Sequence, residues 1–210
     1  MIFYGQPRFV LQCWHSIQNH IIDCNDTEIY IHTWIPNTLP DKRYQIADNH
    51  VGDSNFIESI FKCYKPQAIK IEQQKTFPDL VPPEHKHYSY NFILQSMMYS
   101  IREGWYLIDR SLHHYDCICF IRFDQIVWQP IIFTNESDTI HCQENHCNRF
   151  KDHLVYGDPR VMAWYANTLG FMCRLPKDNF TPEEVFESNL NDYGAKIQKH
   201  VWNNSIYRGQ

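Results

Sequence analysis

The sequence predicts an α/β fold: a mixed, mostly parallel central sheet flanked by helices. Three observations carry this. Residues 1–34 read as strand, turn, helix, strand, the βαβ unit that pairs its strands in parallel. The run Tyr115–Asp124 (Tyr-Asp-Cys-Ile-Cys-Phe-Ile-Arg-Phe-Asp) is mostly apolar and holds neither Gly nor Pro, which suits a strand covered on both faces. Helical and strand patterns continue on both sides of that run.

Met1–Tyr4 is a short apolar strand that ends at Gly5-Gln6-Pro7-Arg8. A helix follows from about Phe9 to Ile22, with Val10, Trp14, Ile17 and Ile21 at spacings of three and four. Glu28–Trp34 is the second strand, closed by Pro36. Residues 36–56 are polar and read as a loop. Phe56–Tyr64 is a short helix and Ala68–Glu72 a third strand. Thr76–Tyr88, with Pro78, Pro82, Pro83, His85 and His87, is a long loop of the kind that often carries function and is expected to close over a ligand. Ser89–Trp105 is a helix whose core side is Phe92, Ile93, Met97, Ile101 and Trp105, with Asn91, Gln95, Tyr99 and Arg102 as a second, polar stripe. After the apolar strand, Gln125–Pro130 continues its rim. Asn135–Phe150 is a polar loop bearing Cys and His. Asp152–Tyr156 is a strand. Asp158-Pro159 opens a helix reaching Leu169, with Asp158 as its cap. Thr181-Pro182-Glu183-Glu184 is a capping box that opens another, to about Asn191. The remainder, to Gln210, shows no clear pattern.

With 210 residues and 25.3 kDa, the chain is long enough for a real core. Residues 1–210 read as one domain, a protein in itself or a module of a longer one. A hydrophobic fraction of 43% places it among globular chains. Net charge is -5 and no basic run occurs, which argues against nucleic-acid binding. No apolar run approaches the ~18 residues of a membrane span, and the N-terminus lacks a leader pattern, so a cytoplasmic location is expected, in the host cytoplasm if the chain is viral. The eight cysteines read as free thiols, since two lie inside the apolar strand and a domain of this size needs no disulfides.

Side chains alternate along a strand, so Arg122 and Asp124 leave the end of the apolar strand on the same side. In an open α/β sheet that end faces the ligand crevice. There an aspartate can hold a divalent cation and an arginine can grip phosphate oxygens. The alternative is an ion pair after a core strand. Gly5-Gln6-Pro7-Arg8 sits where α/β folds place phosphate groups, or is a tight turn with a solvated arginine. Neither G-x-G-x-x-G nor G-x-x-x-x-G-K-S/T occurs, so a dinucleotide Rossmann domain and a P-loop NTPase are unsupported. An α/β-hydrolase is unsupported for want of G-x-S-x-G. His141-Cys142 and His146-Cys147 are too cramped for the common zinc spacings. His153 stands out beside Asp152.

Taken together, Gly5–Arg8, the strand ending His32-Thr33-Trp34, and Tyr115-Asp116 before a strand ending Arg122-Phe123-Asp124 resemble small glycosyltransferases of the GT-A type. These occur in polysaccharide gene clusters and in large DNA viruses of algae, including the capsid-glycosylating proteins of chlorella viruses. Gln95–Ser100, Asp152–Gly157 and Pro182-Glu183-Glu184 add to the resemblance, which spans roughly residues 1–190. It implies a GT-A-like (Rossmann-like) fold, a UDP-sugar donor, a Mn²⁺ or Mg²⁺ ion and a glycan acceptor, such as one carried by a glycoprotein. In place of the family's Asp-x-Asp the chain has Arg122-Phe123-Asp124, so Asp124 alone carries over as metal ligand. Gly5, Gln6, Pro7 and Arg8 would line the nucleotide. Gln95 and Arg122 would face the diphosphate or donor sugar, and Asp152 and Asp158 would lie near the acceptor.

The implied reaction displaces a nucleoside diphosphate from the anomeric carbon of the sugar. An inverting route needs a carboxylate base for the acceptor hydroxyl, for which Asp152 and Asp158 are the candidates. A retaining route needs an oxocarbenium-like ion stabilised on the donor face. Two readings from other classes stand beside this one: a nucleotide- or sugar-binding module without catalysis, and a zinc-binding interaction domain built on residues 141–147.

Overall fold

The structure is a computed structural model. It describes residues 1–35, 56–78, 88–108, 115–144, 150–174 and 181–207, the side chains of 88–90 and 172–174 excepted. The expected loop at 36–56 and the expected lid at 76–88 fall largely outside these residues.

The described strands are β1 Ile2–Gly5, β2 Tyr30–Ile35, β3 Ala68–Gln73, β4 Ile118–Arg122, β5 Gln125–Val127, β6 Thr139–Glu144, β7 Phe150–Gly157, β8 Lys196–His200 and β9 Asn204–Ile206. The helices are α1 Val10–His20, α2 Phe56–Tyr64, α3 Tyr88–Trp105, α4 Pro159–Ala166 and α5 Pro182–Tyr193. Short 3₁₀ segments follow α1 at Ile22–Cys24 and α4 at Thr168–Arg174. Seven strands form one sheet in the order β3-β2-β1-β4-β7-β6-β8, and β5 pairs with β9 in a separate ribbon. The central sheet is mixed and mostly parallel, as expected. β7 runs against both of its neighbours, β4 and β6, whereas the other pairs are parallel.

Alternation along the central strands sets two cores. Ile2 and Tyr4, with Ile118 and Phe120, face a layer of α3, α4 and α5. Met1 and Phe3, with Cys119 and Ile121, face α1 and α2. This is why the runs at 1–4 and 117–123 are apolar at nearly every position: each face of the sheet is covered. The first strand, α1 and α2 match expectation within a residue or two. So does the α5 cap, where Thr181 accepts from the Glu184 amide and Glu184 reaches back to the Thr181 amide.

Three expectations are corrected. The polar loop expected at 135–150 contains strand β6, whose His141 and Cys142 are buried. Its polar side chains misled because they have partners: His141 Nδ1 lies 2.9 Å from His200 Nε2 and its ring stacks on Tyr156. His141 and Cys142 are also consecutive on a strand, so they leave opposite faces and cannot share a zinc ion. His146 and Cys147 fall outside the described residues. The unpatterned C-terminal stretch carries β8 and β9. On α3, Ile93 is 49% exposed, while the supposed polar stripe contains Asn91 at 1% and Gln95 at 4%. The helix is buried on more than one side, packed on the sheet and against α4 and the segment after it, so a single apolar stripe does not describe it. The six cysteines with described side chains are free thiols. No described helix is long and apolar enough to cross a membrane.

Candidate active site

The sheet order reverses between β1 and β4. β1 connects through α1 toward β2 on one side, while β4 lies on the other. Such a switch point leaves a crevice beyond the carboxyl ends of the two strands, where ligands of open α/β sheets bind. A cleft of about 620 Å³, its open mouth included, lies there. Tyr4 and Gly5 come from β1, Gln6 and Arg8 from the turn after it, and Arg122 and Asp124 from the end of β4. Trp34 of β2 and Phe92, Ile93, Ser96 and Met97 of α3 form the remaining wall. One side is thus rich in hydrogen-bond donors and the other mostly apolar, a division that suits a ligand with an anionic and a ring-like part.

The two arginines of the cleft are each anchored by a neighbour two positions away. Arg122 donates from Nε to Asp124 Oδ1 (2.9 Å) and from Nη2 to Asp124 Oδ2 (2.7 Å). Asp124 is 3% exposed. Burial alone would discourage the Arg122 charge, but Asp124, then Tyr4 and Asp152, hold the guanidinium firmly protonated. Arg8 donates from Nε (2.8 Å) and Nη2 (2.5 Å) to Gln6 Oε1. A guanidinium has donors only, so the Gln6 amide turns its oxygen to Arg8 and its NH₂ away from it.

Gly5 ends β1 at φ +90°, a conformation that favours glycine. Its amide donates to Ser100 Oγ at 2.7 Å, so it is used inside the protein. Ser100 Oγ lies 2.7 Å from His32 Nδ1, and His32 Nε2 lies 2.9 Å from Glu72 Oε2. Burial lowers the His32 pKa, with Glu72 pulling the other way, so the ring is neutral. The Glu72 carboxylate then accepts a hydrogen bond from Nε2–H, which leaves Nδ1 to accept from the Ser100 hydroxyl. Burial would raise the Glu72 carboxyl, but hydrogen bonds from His32, Lys75 and Lys70 hold it at about 2. Ser, His and acid meet here as in a hydrolase triad, yet Ser100 and His32 are fully buried. The chain braces the Gly5 turn from beneath.

Asp152 is brought to this end of the sheet. Its register against β6 shifts by a bulge between Cys142/Gln143 and the 151–155 stretch. Bulges re-aim side chains beside active sites. Asp152 is 3% exposed, and its pKa is raised by burial despite the nearby Arg122. Its main-chain oxygen accepts from Tyr4 OH at 2.6 Å, and its Oδ1 lies 3.7 Å from His153 Nε2.

The other expected site residues lie elsewhere. Asp158 is six residues farther along β7, about 20 Å away at strand rise. It caps α4, accepting from the Arg160 amide at 2.8 Å and pairing with the Arg160 guanidinium. Gln95 turns from the cleft and donates to Pro78 O (2.8 Å) and Asn91 Oδ1 (3.2 Å). Pro7 is buried in the turn without lining the cleft. Tyr4, Trp34, Phe92 and Ser96 were not foreseen as site residues. Phe92 and Ser96 share a face of α3 at a spacing of four, and Tyr4 lies two positions before Gln6. Those spacings were visible, but only the sheet order shows that both point into one space.

The residues present do not by themselves fit the divalent cation that the resemblance implies. Among the described residues Asp124 is the only carboxylate lining the cleft, and both of its oxygens accept from Arg122. Among the described residues no group of three His, Cys, Asp or Glu could hold a metal ion. No protein-family model matches this chain, and no curated protein matches it at a significant level.

Proposed function

We propose that this protein is a glycosyltransferase of GT-A type that takes a nucleoside-diphosphate sugar, with a uridine nucleotide the first candidate. The single observation that carries the reading is the cleft at the β1/β4 switch point, where two anchored arginines face an aromatic wall, with the buried Asp152 carboxylate at the same end of the sheet. Arg8 and Arg122 suit the diphosphate, and Trp34, Phe92 and Met97 suit the flat faces of base or sugar. With the Asp124 oxygens taken by Arg122, the second carboxylate at this end of the sheet is Asp152. In the reaction the acceptor hydroxyl oxygen bonds the anomeric carbon as the bond to the diphosphate oxygen breaks. The diphosphate leaves with the bonding electrons, and in an inverting route the hydroxyl proton passes to Asp152, whose raised pKa suits a base. Asp158, at the far end of β7, has no place in this scheme.

A thermal-shift series with UDP, GDP, CMP and ADP tests the binding, since a ligand of the folded state raises its melting temperature by mass action. The expected result is a shift with UDP larger than with the others, followed by slow release of UDP from a UDP-sugar. Binding without any turnover over a panel of donors and acceptors would favour a nucleotide-binding module. No shift with any nucleotide would remove the reading.

A further inference from the structure

We infer that the Arg122–Asp124 pair does the work of a metal ion in this cleft: a diphosphate binds to the open edge of the Arg122 guanidinium without a divalent cation, and Asp124 is a positioning residue for that arginine. The inference rests on the proposed nucleoside-diphosphate reading and specifies how the leaving group is held. A guanidinium offers five N–H donors. Asp124 takes one from Nε and one from Nη2. No other described group accepts from Arg122, so the Nη1 protons and the second Nη2 proton remain, forming the second forked edge. Such an edge matches two phosphate oxygens.

A cation at Asp124 would have to take oxygens that already receive charge-assisted hydrogen bonds. Mg²⁺ in particular demands close, near-octahedral oxygen ligands, and among the described residues the cleft offers no second carboxylate. Displacing Arg122 would also leave a partly buried guanidinium without its counter-charge, at a cost. The pair is close to neutral as a whole. What it contributes is a donor edge fixed before the ligand arrives, in a cleft that Arg8 also lines. Asp124 is itself held from outside the pair: its main-chain oxygen accepts from the Tyr207 amide at 2.8 Å.

Titration calorimetry with UDP and with inorganic pyrophosphate, each in EDTA and in excess Mg²⁺ or Mn²⁺, tests this on the intact chain. The wild type is expected to bind both probes in EDTA, with affinities within about threefold of those with metal, since the same donors hold the ligand in each case. The paired variant R122Q/D124N keeps polar groups in place without leaving a lone buried charge. It is expected to lose roughly tenfold or more in EDTA, the range for a charge-assisted contact. Arg122→Lys, which keeps the charge but not the fork, should lose most of that affinity as well. Tightening of about tenfold or more with metal, as a ligand-bridging cation gives, would overturn the inference. So would undiminished binding by R122Q/D124N, or failure of both probes in EDTA. Nucleotide binding that requires metal would overturn it and leave the transferase reading standing. Pyrophosphate binding in EDTA with no nucleotide binding would do the reverse.

Discussion

At the scale of the residue, the clearest separation is between the aspartates that the sequence set side by side. Asp124 and Asp152 sit at the carboxyl end of β4, whereas Asp158 is a helix cap at the opposite end of β7. Sequence shows an acidic residue before a proline-led helix and cannot show which end of the sheet that helix starts from. The expected outcome for Asp158→Ala is a loss of about 1 kcal/mol of stability in urea denaturation at neutral pH, typical for a capping side chain. Nucleotide affinity should not change. The pH dependence follows from the charge. Burial would raise the Asp158 carboxyl, but Arg160 and backbone amides outweigh it and hold the pKa below its ordinary 3.8. A carboxyl depressed in the folded state stabilises above the unfolded value and loses that contribution as pH falls through the folded one. The gap between wild type and Asp158→Ala should therefore narrow as the pH drops below 3.8. A variant that instead loses turnover at full stability would return Asp158 to the mechanism.

At the scale of the element, α3 lies so close to β1 that Gly104 has the opposite meaning to the one a propensity scale assigns, and β6 crowds Gly157 at the end of β7 in the same way. Ala in place of Gly104 would gain about 1 kcal/mol of helix propensity. Its Cβ, however, would stand 2.6 Å from Ile2 Cγ2 and 3.7 Å from His32 Cβ. Ile2 is fully buried, so it has little room to yield. We expect Gly104→Ala to destabilise by about 1–3 kcal/mol, the usual cost of overpacking a filled core. Gly157→Ala should cost more, because its Cβ would meet backbone, 2.2 Å from Thr139 O. Chemical denaturation of both variants checks the order, and a neutral Gly104→Ala would mean a looser α3–β1 contact. Elements with a clean period were legible: α1, α2, β4 and the α5 cap each follow from apolar spacing or a capping box. β6, β8 and β9 were not. β6 and β8 carry His, Gln and Lys, several of them satisfied by partners distant in sequence, such as His141 by His200 and Gln143 by the Trp202 carbonyl, and β9 is Asn-Ser-Ile, too short to show a period. A local pattern contains no trace of such a partner. The candidate site was legible to the same degree. Arg122, Asp124 and the Gly5–Arg8 turn follow from strand ends, while the wall from α3 and β2 depends on sheet order.

At the scale of the whole molecule, the two arginines of the cleft come from separate parts of the chain that a third part ties together. β9 pairs with β5, the strand that follows Asp124 directly. One residue beyond β9, the Tyr207 amide donates to the Asp124 carbonyl, and the Tyr207 ring packs edge-on against Phe9 at 4.9 Å. Phe9 stands at the start of α1 with φ 54°, a left-handed conformation unusual for an aromatic residue and of the kind that surrounding contacts must hold. A single C-terminal residue thus fixes the turn bearing Arg8 relative to the strand end bearing Arg122. Two substitutions separate its two contacts. Tyr207→Ala removes the ring and keeps the amide; it should lower stability by about 1–2 kcal/mol through lost aromatic packing and loosen the Phe9 turn. Tyr207→Pro removes the donor as well, so the Asp124 carbonyl loses its partner at a further cost of about 1 kcal/mol. If the walls are coupled through Tyr207, the affinity for a nucleoside diphosphate should fall in the order wild type, Ala, Pro, while Tyr207→Phe, which keeps ring and amide, should match the wild type. Denaturation and ligand titration on the same three variants check this together. Stability that falls in that order with unchanged affinity would confine Tyr207 to the scaffold and leave the Arg8 turn and the Arg122 strand end independent of one another.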